Sequence, residues 1–122
     1  MLLIRTSFFV VLGFHKRNVN LMQQPDALNQ VAAFHQTFKH PILETPTIPE
    51  ENRCKLRVAL LAEELKELEV AIINKDIVEV ADALCDLQYV LSGAILEFGL
   101  GNKFKALFDE ERLLGLVRLV VA

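Results

Sequence analysis

At 122 residues and 13.8 kDa the chain has the length of one ordinary domain, and 52% apolar with 24% charged residues is enough to build a core, which excludes a multidomain reading. Thirteen Lys and Arg against 16 Asp and Glu give a formal charge of −3 and a pI near 5.6, which excludes the electrostatic footprint of a general nucleic-acid binder. Five Gly and four Pro, with no repeat or low-complexity tract, leave little room for disorder or for the dense turns of a small sandwich or barrel, so a mostly helical domain is expected. Cys54 and Cys85 stand 31 positions apart with no CxxC and no Cys/His ligand spacing. That pattern signals neither a disulfide framework nor a zinc site and fits a reducing, cytoplasmic compartment. Cys85 lies in an apolar helical run and reads as a small core residue.

In chain order, residues 1–14 are almost wholly apolar apart from Arg5, Thr6 and Ser7, and His15, Lys16 and Arg17 follow. The stretch is shorter than the roughly 20 apolar residues that span a bilayer, and it lacks the charged start and small-residue cleavage site of a signal peptide. Residues 1–21 therefore read as an apolar extension preceding a domain at 22–111, with residues 112–122 as an atypical apolar tail and no membrane partner. Pro25 and Asp26 open a first helix in which Leu28, Val31, Ala32, His35 and Phe38 recur at spacings of three and four until His40 and Pro41 stop it. Residues 44–49 form a proline-punctuated linker. Pro49 then stands in the first turn of a long second helix, where Glu50 and Glu51 complement the positive end of the dipole.

The apolar stripe of that helix is Leu56, Leu60, Leu61, Leu65, Leu68 and Ile72. Asn74, Lys75 and Asp76 break it, and Asp76 is placed to cap a third helix over about 77–98. Gly99 and Gly101 end the third helix, and Phe104, Leu107 and Phe108 mark a short fourth. Two long helices joined by so tight a turn lie antiparallel. The expected fold is all-α, a helical bundle on a long antiparallel pair, completed by a second subunit because the pair carries more apolar surface than one short helix covers.

Acid placement carries the chemistry. Between Val58 and Glu97 there are nine acids, Glu63, Glu64, Glu67, Glu69, Asp76, Glu79, Asp82, Asp86 and Glu97, against Lys66 and Lys75 alone. An ordinary solvated face interleaves the signs, because like charges at i, i+4 repel. Glu63, Glu64 and Glu67 project toward one side of the second helix, while Glu79, Asp82 and Asp86, at i, i+3 and i+7, share a narrow arc of the third. The turn folds the two sets toward each other at similar heights. Carboxylates brought together resist ionisation, and a hard divalent cation with oxygen ligands neutralises them. Magnesium is the natural candidate, manganese would accept the same cage, and the absence of nearby His or Cys argues against zinc.

Glu63-Glu64-x-x-Glu67 followed by Glu79-x-x-Asp82 resembles the paired EExxE and ExxD signature of the all-α nucleoside triphosphate pyrophosphohydrolases, the MazG-like and phosphoribosyl-ATP pyrophosphohydrolase-like superfamily. Val31 to Pro41 (VAAFHQTFKHP), Pro46 and Pro49, Ala81 to Val90 (ADALCDLQYV), Gly93 and Phe98-Gly99 extend the resemblance over about residues 28–110. It implies that Glu64, Glu67, Glu79 and Asp82 are magnesium ligands and that the reaction converts a nucleoside triphosphate to monophosphate and pyrophosphate. An acidic site can hold a polyanionic triphosphate only through bridging cations, which also activate water for attack on the α-phosphorus. Glu63 is then placed to orient or deprotonate that water. Asp86-Leu-Gln-Tyr89 also resembles the DLLY stretch of phosphoribosyl-ATP pyrophosphohydrolases, a register in which Ala83 replaces an expected Glu; the register with Glu79 and Asp82 keeps both acids and leaves Asp86 as a supporting acid.

After Phe108-Asp109-Glu110 the MazG-like branch continues in a polar, basic segment, whereas Glu111 to Ala122 reads ERLLGLVRLVVA. Lys103, Lys105 and Arg112 are weak substitutes for its phosphate contacts, and no residue identifies the base. His35 and His40 read as structural histidines, and Phe34, Phe38 and Tyr89 as core aromatics rather than base-stacking groups. The expected partners are a nucleoside triphosphate and the chain itself, as a homodimer or tetramer. The rival reading from another class is a non-catalytic helical dimerisation module with a degenerate site.

Overall fold

The computed structural model describes residues 21–110; the apolar extension up to residue 20 and the tail from residue 111, with Arg112 and Arg118, lie outside the described residues. Three helices build a compact unit over residues 25–102: α1, Ala27–Thr37; α2, Glu51–Ile73; and α3, Ile77–Glu97. A fourth helical stretch, α4, covers residues 104–110 and belongs to a second unit. Within it Lys105 pairs with Asp109 at 2.7 Å and the rings of Phe104 and Phe108 lie 6.3 Å apart. The fold is all-α, with no strand among the described residues, and the long helices α2 and α3 pack against each other.

Local chemistry explains where each helix stops. Asp26 precedes α1 without capping it through its side chain; its carboxylate instead accepts from the Asn29 amide at 3.0 Å. α1 closes with Lys39 in the left-handed region, φ 56°, and a 2.8 Å bond from His40 N to His35 O, a Schellman-type ending without the usual glycine. α2 begins at Glu51, two residues later than a helix with Pro49 in its first position. Pro49 stands outside the helix, beyond Glu50, and its carbonyl accepts from the Cys54 thiol at 3.3 Å. The α2–α3 turn again uses a left-handed lysine, Lys75 at φ 55°, with Asp76 N bonded to Ala71 O at 3.0 Å. Asp76 then caps α3, accepting from Val78 N at 3.1 Å and Glu79 N at 3.2 Å.

The C-terminal end of α3 is tied to the proline-punctuated linker. Leu43 N donates to Leu96 O at 3.1 Å and Thr47 N to Phe98 O at 3.0 Å, so residues 43–47 supply donors to carbonyls at the helix end. Gly99, at φ 69°, lets the chain turn there. A Cβ on Gly99 would strike the Thr45 carbonyl and lie 3.1 Å from Pro46 N, so the close approach also needs glycine.

The apolar core of the described residues is small: Val31, Ala71, Ala83, Ile95 and Leu96. Of the expected α2 stripe, Leu60, Leu61 and Leu68 are half-buried, but Leu56, Leu65 and Ile72 are exposed. The expected core aromatics also differ, since Phe34, Phe38 and Tyr89 are exposed on the α1/α3 surface and touch one another there, Phe34 lying 4.5 Å from Phe38 and 5.5 Å from Tyr89 between ring centroids. Cys85 is likewise exposed, on a cavity of about 400 Å³ between α1 and α3 lined by Val31, Leu84, Gln88 and Tyr89.

Candidate active site

Two structural clusters lie between α2 and α3. The first is acidic. Glu64 and Glu67, one turn apart on α2, and Asp86 on α3 each present a carboxylate oxygen, and these atoms lie within 4.8 Å of one another. Glu64 is half-buried, and its Oε2 is enclosed with no hydrogen-bond partner. Burial first, then the charges of Glu67, Asp86, Glu63 and Asp82, push the Glu64 carboxyl above its ordinary range. A buried carboxylate oxygen without a donor, surrounded by four other acids, is a site in want of positive charge, and among the described residues no ion pair reaches Glu64.

The other acids take different places. Asp82 is exposed on α3, and its charge acts on Glu64. Glu79 stands nearer the turn, sharing with Glu67 a cavity of about 420 Å³ also lined by Lys66, Val70, Ala71, Asn74 and Asp76. Glu63 is exposed on α2 beside Glu64. The tight cluster thus comprises Glu64, Glu67 and Asp86, with Glu79, Asp82 and Glu63 outside it. Ala83, where the second sequence register lacks its Glu, is buried and brings no ligand atom.

The chain matches the family model of phosphoribosyl-ATP pyrophosphohydrolase over residues 31–111, about two thirds of its length. It belongs to that family. The family lies within the MazG-like all-α nucleoside triphosphate pyrophosphohydrolase superfamily, which marks the chain as a pyrophosphohydrolase; that family is typically metal-dependent. Comparison with curated proteins gives no match. No helix among the described residues is long and apolar enough to cross a membrane.

The donor set fits the metal dependence of the pyrophosphohydrolase family. All three clustered ligands are carboxylates, the hard oxygen donors that magnesium and manganese take, and the enclosed Glu64 oxygen is the atom whose isolation a cation would relieve.

The second cluster was not legible in the sequence. Glu97, 1% exposed, accepts on Oε1 a hydrogen bond from Arg53 Nε at 2.7 Å and forms an ion pair there with Arg53 Nη2 at 2.6 Å, while its Oε2 forms an ion pair with Arg57. Arg57 is buried, and its guanidinium lies against Gly93 together with the His35 ring. His35 Nδ1 donates to the Pro41 carbonyl at 2.9 Å; burial holds this imidazole below its ordinary range, and the charges of Arg57 and His40 act the same way against the opposing pull of the Pro41 bond and Glu97. Arg53, Arg57 and Glu97 look like ordinary helix-surface charges in sequence. The available signal was that Glu97 stands alone among Ala94, Ile95, Leu96 and Phe98.

Proposed function

We propose that this protein hydrolyses the α,β-phosphoanhydride of a nucleoside triphosphate with magnesium, releasing nucleoside monophosphate and pyrophosphate. The observation that carries the reading is the meeting of Glu64, Glu67 and Asp86 within 4.8 Å around a buried carboxylate oxygen that has no partner. Glu64, Glu67, Glu79 and Asp82 are the proposed magnesium ligands, manganese being an accepted substitute, and Asp86 joins them as a supporting acid. A divalent cation held there would neutralise the phosphate oxygens and lower the pKa of the attacking water. Glu63, exposed beside the cluster, accepts the proton of that water as it attacks the α-phosphorus. The bond from α-phosphorus to bridging oxygen breaks, and pyrophosphate leaves.

Phosphoribosyl-ATP is the second substrate reading. It is favoured by the family description and by the place of Asp86, which opens the Asp86-Leu-Gln-Tyr89 stretch, inside the acid cluster. The same bond breaks in both cases. We further propose that the exposed apolar side chains of α2, Leu56, Leu65 and Ile72, are covered by a second copy in a homodimer or tetramer, and that the protein works in the cytoplasm, where its substrates are made.

The test is incubation with a panel of ribo- and deoxyribonucleoside triphosphates and phosphoribosyl-ATP, with and without magnesium, separating pyrophosphate from orthophosphate. Magnesium-dependent pyrophosphate and monophosphate are expected, abolished by Glu67→Gln and by Asp82→Asn with helicity intact. Orthophosphate and a diphosphate as first products would overturn the reaction. Full activity in both variants would overturn the site, and inactivity without metal binding would leave the dimerisation module as the better account.

A further inference from the structure

The acid centre and the buried ion cluster share one geometry. Lys75, the left-handed residue of the turn, stands midway between the members of each facing pair: Arg53 and Glu97 are each 22 residues from it, Arg57 and Gly93 each 18, Glu64 and Asp86 each 11. Each pair is in contact or near it across the hairpin. From Arg53 to Glu64 and from Glu97 back to Asp86 is therefore the same 11 residues, about 16.5 Å of helix and three turns plus roughly 20°. The tight turn makes facing residues equidistant from Lys75, and fixing Arg53 and Arg57 on Glu97 at the far end of the hairpin holds α3 at that height and in the rotation that turns Glu64 and Asp86 toward each other.

Apolar packing alone is a poor means to that end. The buried apolar side chains along the hairpin nearest the acids are Ala71 and Ala83, small groups with little shape to select one register, and Leu61, Leu68 and Leu87 are only half-buried. The carboxylates themselves repel. A guanidinium on a carboxylate, by contrast, is directional, and Arg57 Nη1 fills the space that Gly93 leaves open, where a Cβ would stand 2.5 Å from it. Resting on the metal-site reading above, we propose that Arg53, Arg57 and Glu97 are positioning residues: their buried ion cluster sets the α2/α3 register that assembles the acid centre. Buried ion pairs are weak sources of net stability, and register is the use for which they are best attested.

The test reads register and metal binding directly, in protein shown by circular dichroism to be folded. Spin labels at Glu69→Cys and Leu91→Cys, with Cys54→Ser and Cys85→Ser, report the distance between α2 and α3, and manganese titration reports the acid centre. Three variants are compared: Glu97→Gln, the apolar triple Arg53→Met/Arg57→Leu/Glu97→Leu, and Arg57→Lys, which keeps the charge and loses the fork. A narrow distance distribution is expected in the parent. In Glu97→Gln and the triple it broadens or shifts by about 1.5 Å per residue of slip, and manganese affinity falls about tenfold, with Arg57→Lys between. A merely structural cluster would lower the melting temperature and leave both readouts unchanged in the folded variants, and that result overturns the proposal. Should the parent bind no manganese, the metal-site reading fails by itself, and the distance distribution still decides the clamp.

Discussion

Gly99→Ala isolates the contact between the linker and the C-terminal end of α3. The substitution carries three costs. Alanine must hold φ near 69°, which an L side chain pays for with about 1–2 kcal/mol. Its Cβ would strike the Thr45 carbonyl, 2.5 Å from the carbonyl carbon and 3.1 Å from Pro46 N, and backbone cannot swing aside as a side-chain tip can. The linker must back away, which loosens the bonds from Leu43 N to Leu96 O and from Thr47 N to Phe98 O, each worth about 1 kcal/mol net. Against this stands a gain of roughly 0.4–1 kcal/mol from a stiffer unfolded chain. The net expectation is a loss of about 2–3 kcal/mol. Gly101→Ala is the matched control: its φ is not left-handed, and its Cβ would meet only the flexible tip of Leu96, Cδ2 at 3.1 Å, so a change within about 1 kcal/mol is expected. Urea unfolding followed by circular dichroism, with equal m-values, measures both. Equal midpoints for the two variants would refute the reasoning.

Glu97→Leu leaves Arg57 buried without a counter-charge, and truncating one partner of a buried pair costs about 3–5 kcal/mol; Arg53, 29% exposed, can turn to water, so Arg53→Met is expected to lose less than about 1 kcal/mol, and comparable losses in the two by urea unfolding would contradict this ranking. In metal-free protein Glu64 is harder to ionise folded than unfolded, so the unfolded chain loses its proton first as pH rises, and stability from this group falls between the ordinary carboxylate range and the raised folded value. Thermal melts across mildly acidic pH should show Glu64→Gln losing that fall, while a parallel profile in the variant would count against the burial of its charge. His35 has the opposite sign of pH dependence: with a folded pKa below 6.5, its contribution is present above that value and is lost as pH falls below it, so His35→Gln should flatten the acid limb of the same curve; an unaltered limb would refute it.

Short-range chemistry was legible in the residues. The i, i+3 and i, i+4 recurrences placed three helices to within a few residues, because helix periodicity depends only on near neighbours, and Asp76 announced its capping role because the two amides it accepts from belong to Val78 and Glu79. The pairing of EExxE on α2 with acids on α3 was legible as well, since a turn of three residues leaves an antiparallel hairpin as the one compact arrangement. Which acids meet was not. Glu79, Asp82 and Asp86 lie on one arc of α3, and choosing among them requires the height of α3 against α2, a quantity set 44 residues apart in the chain by Arg53 and Glu97. Burial had the same character: Phe34, Phe38, Tyr89 and Cys85 occupy helical spacings indistinguishable from core positions, and only the packing of α1 on α3 decides that they stand at the surface. Charge at the core reversed the usual expectation for the same reason, because Glu97 and Arg57 become tolerable inside the protein only when tertiary structure brings each to the other.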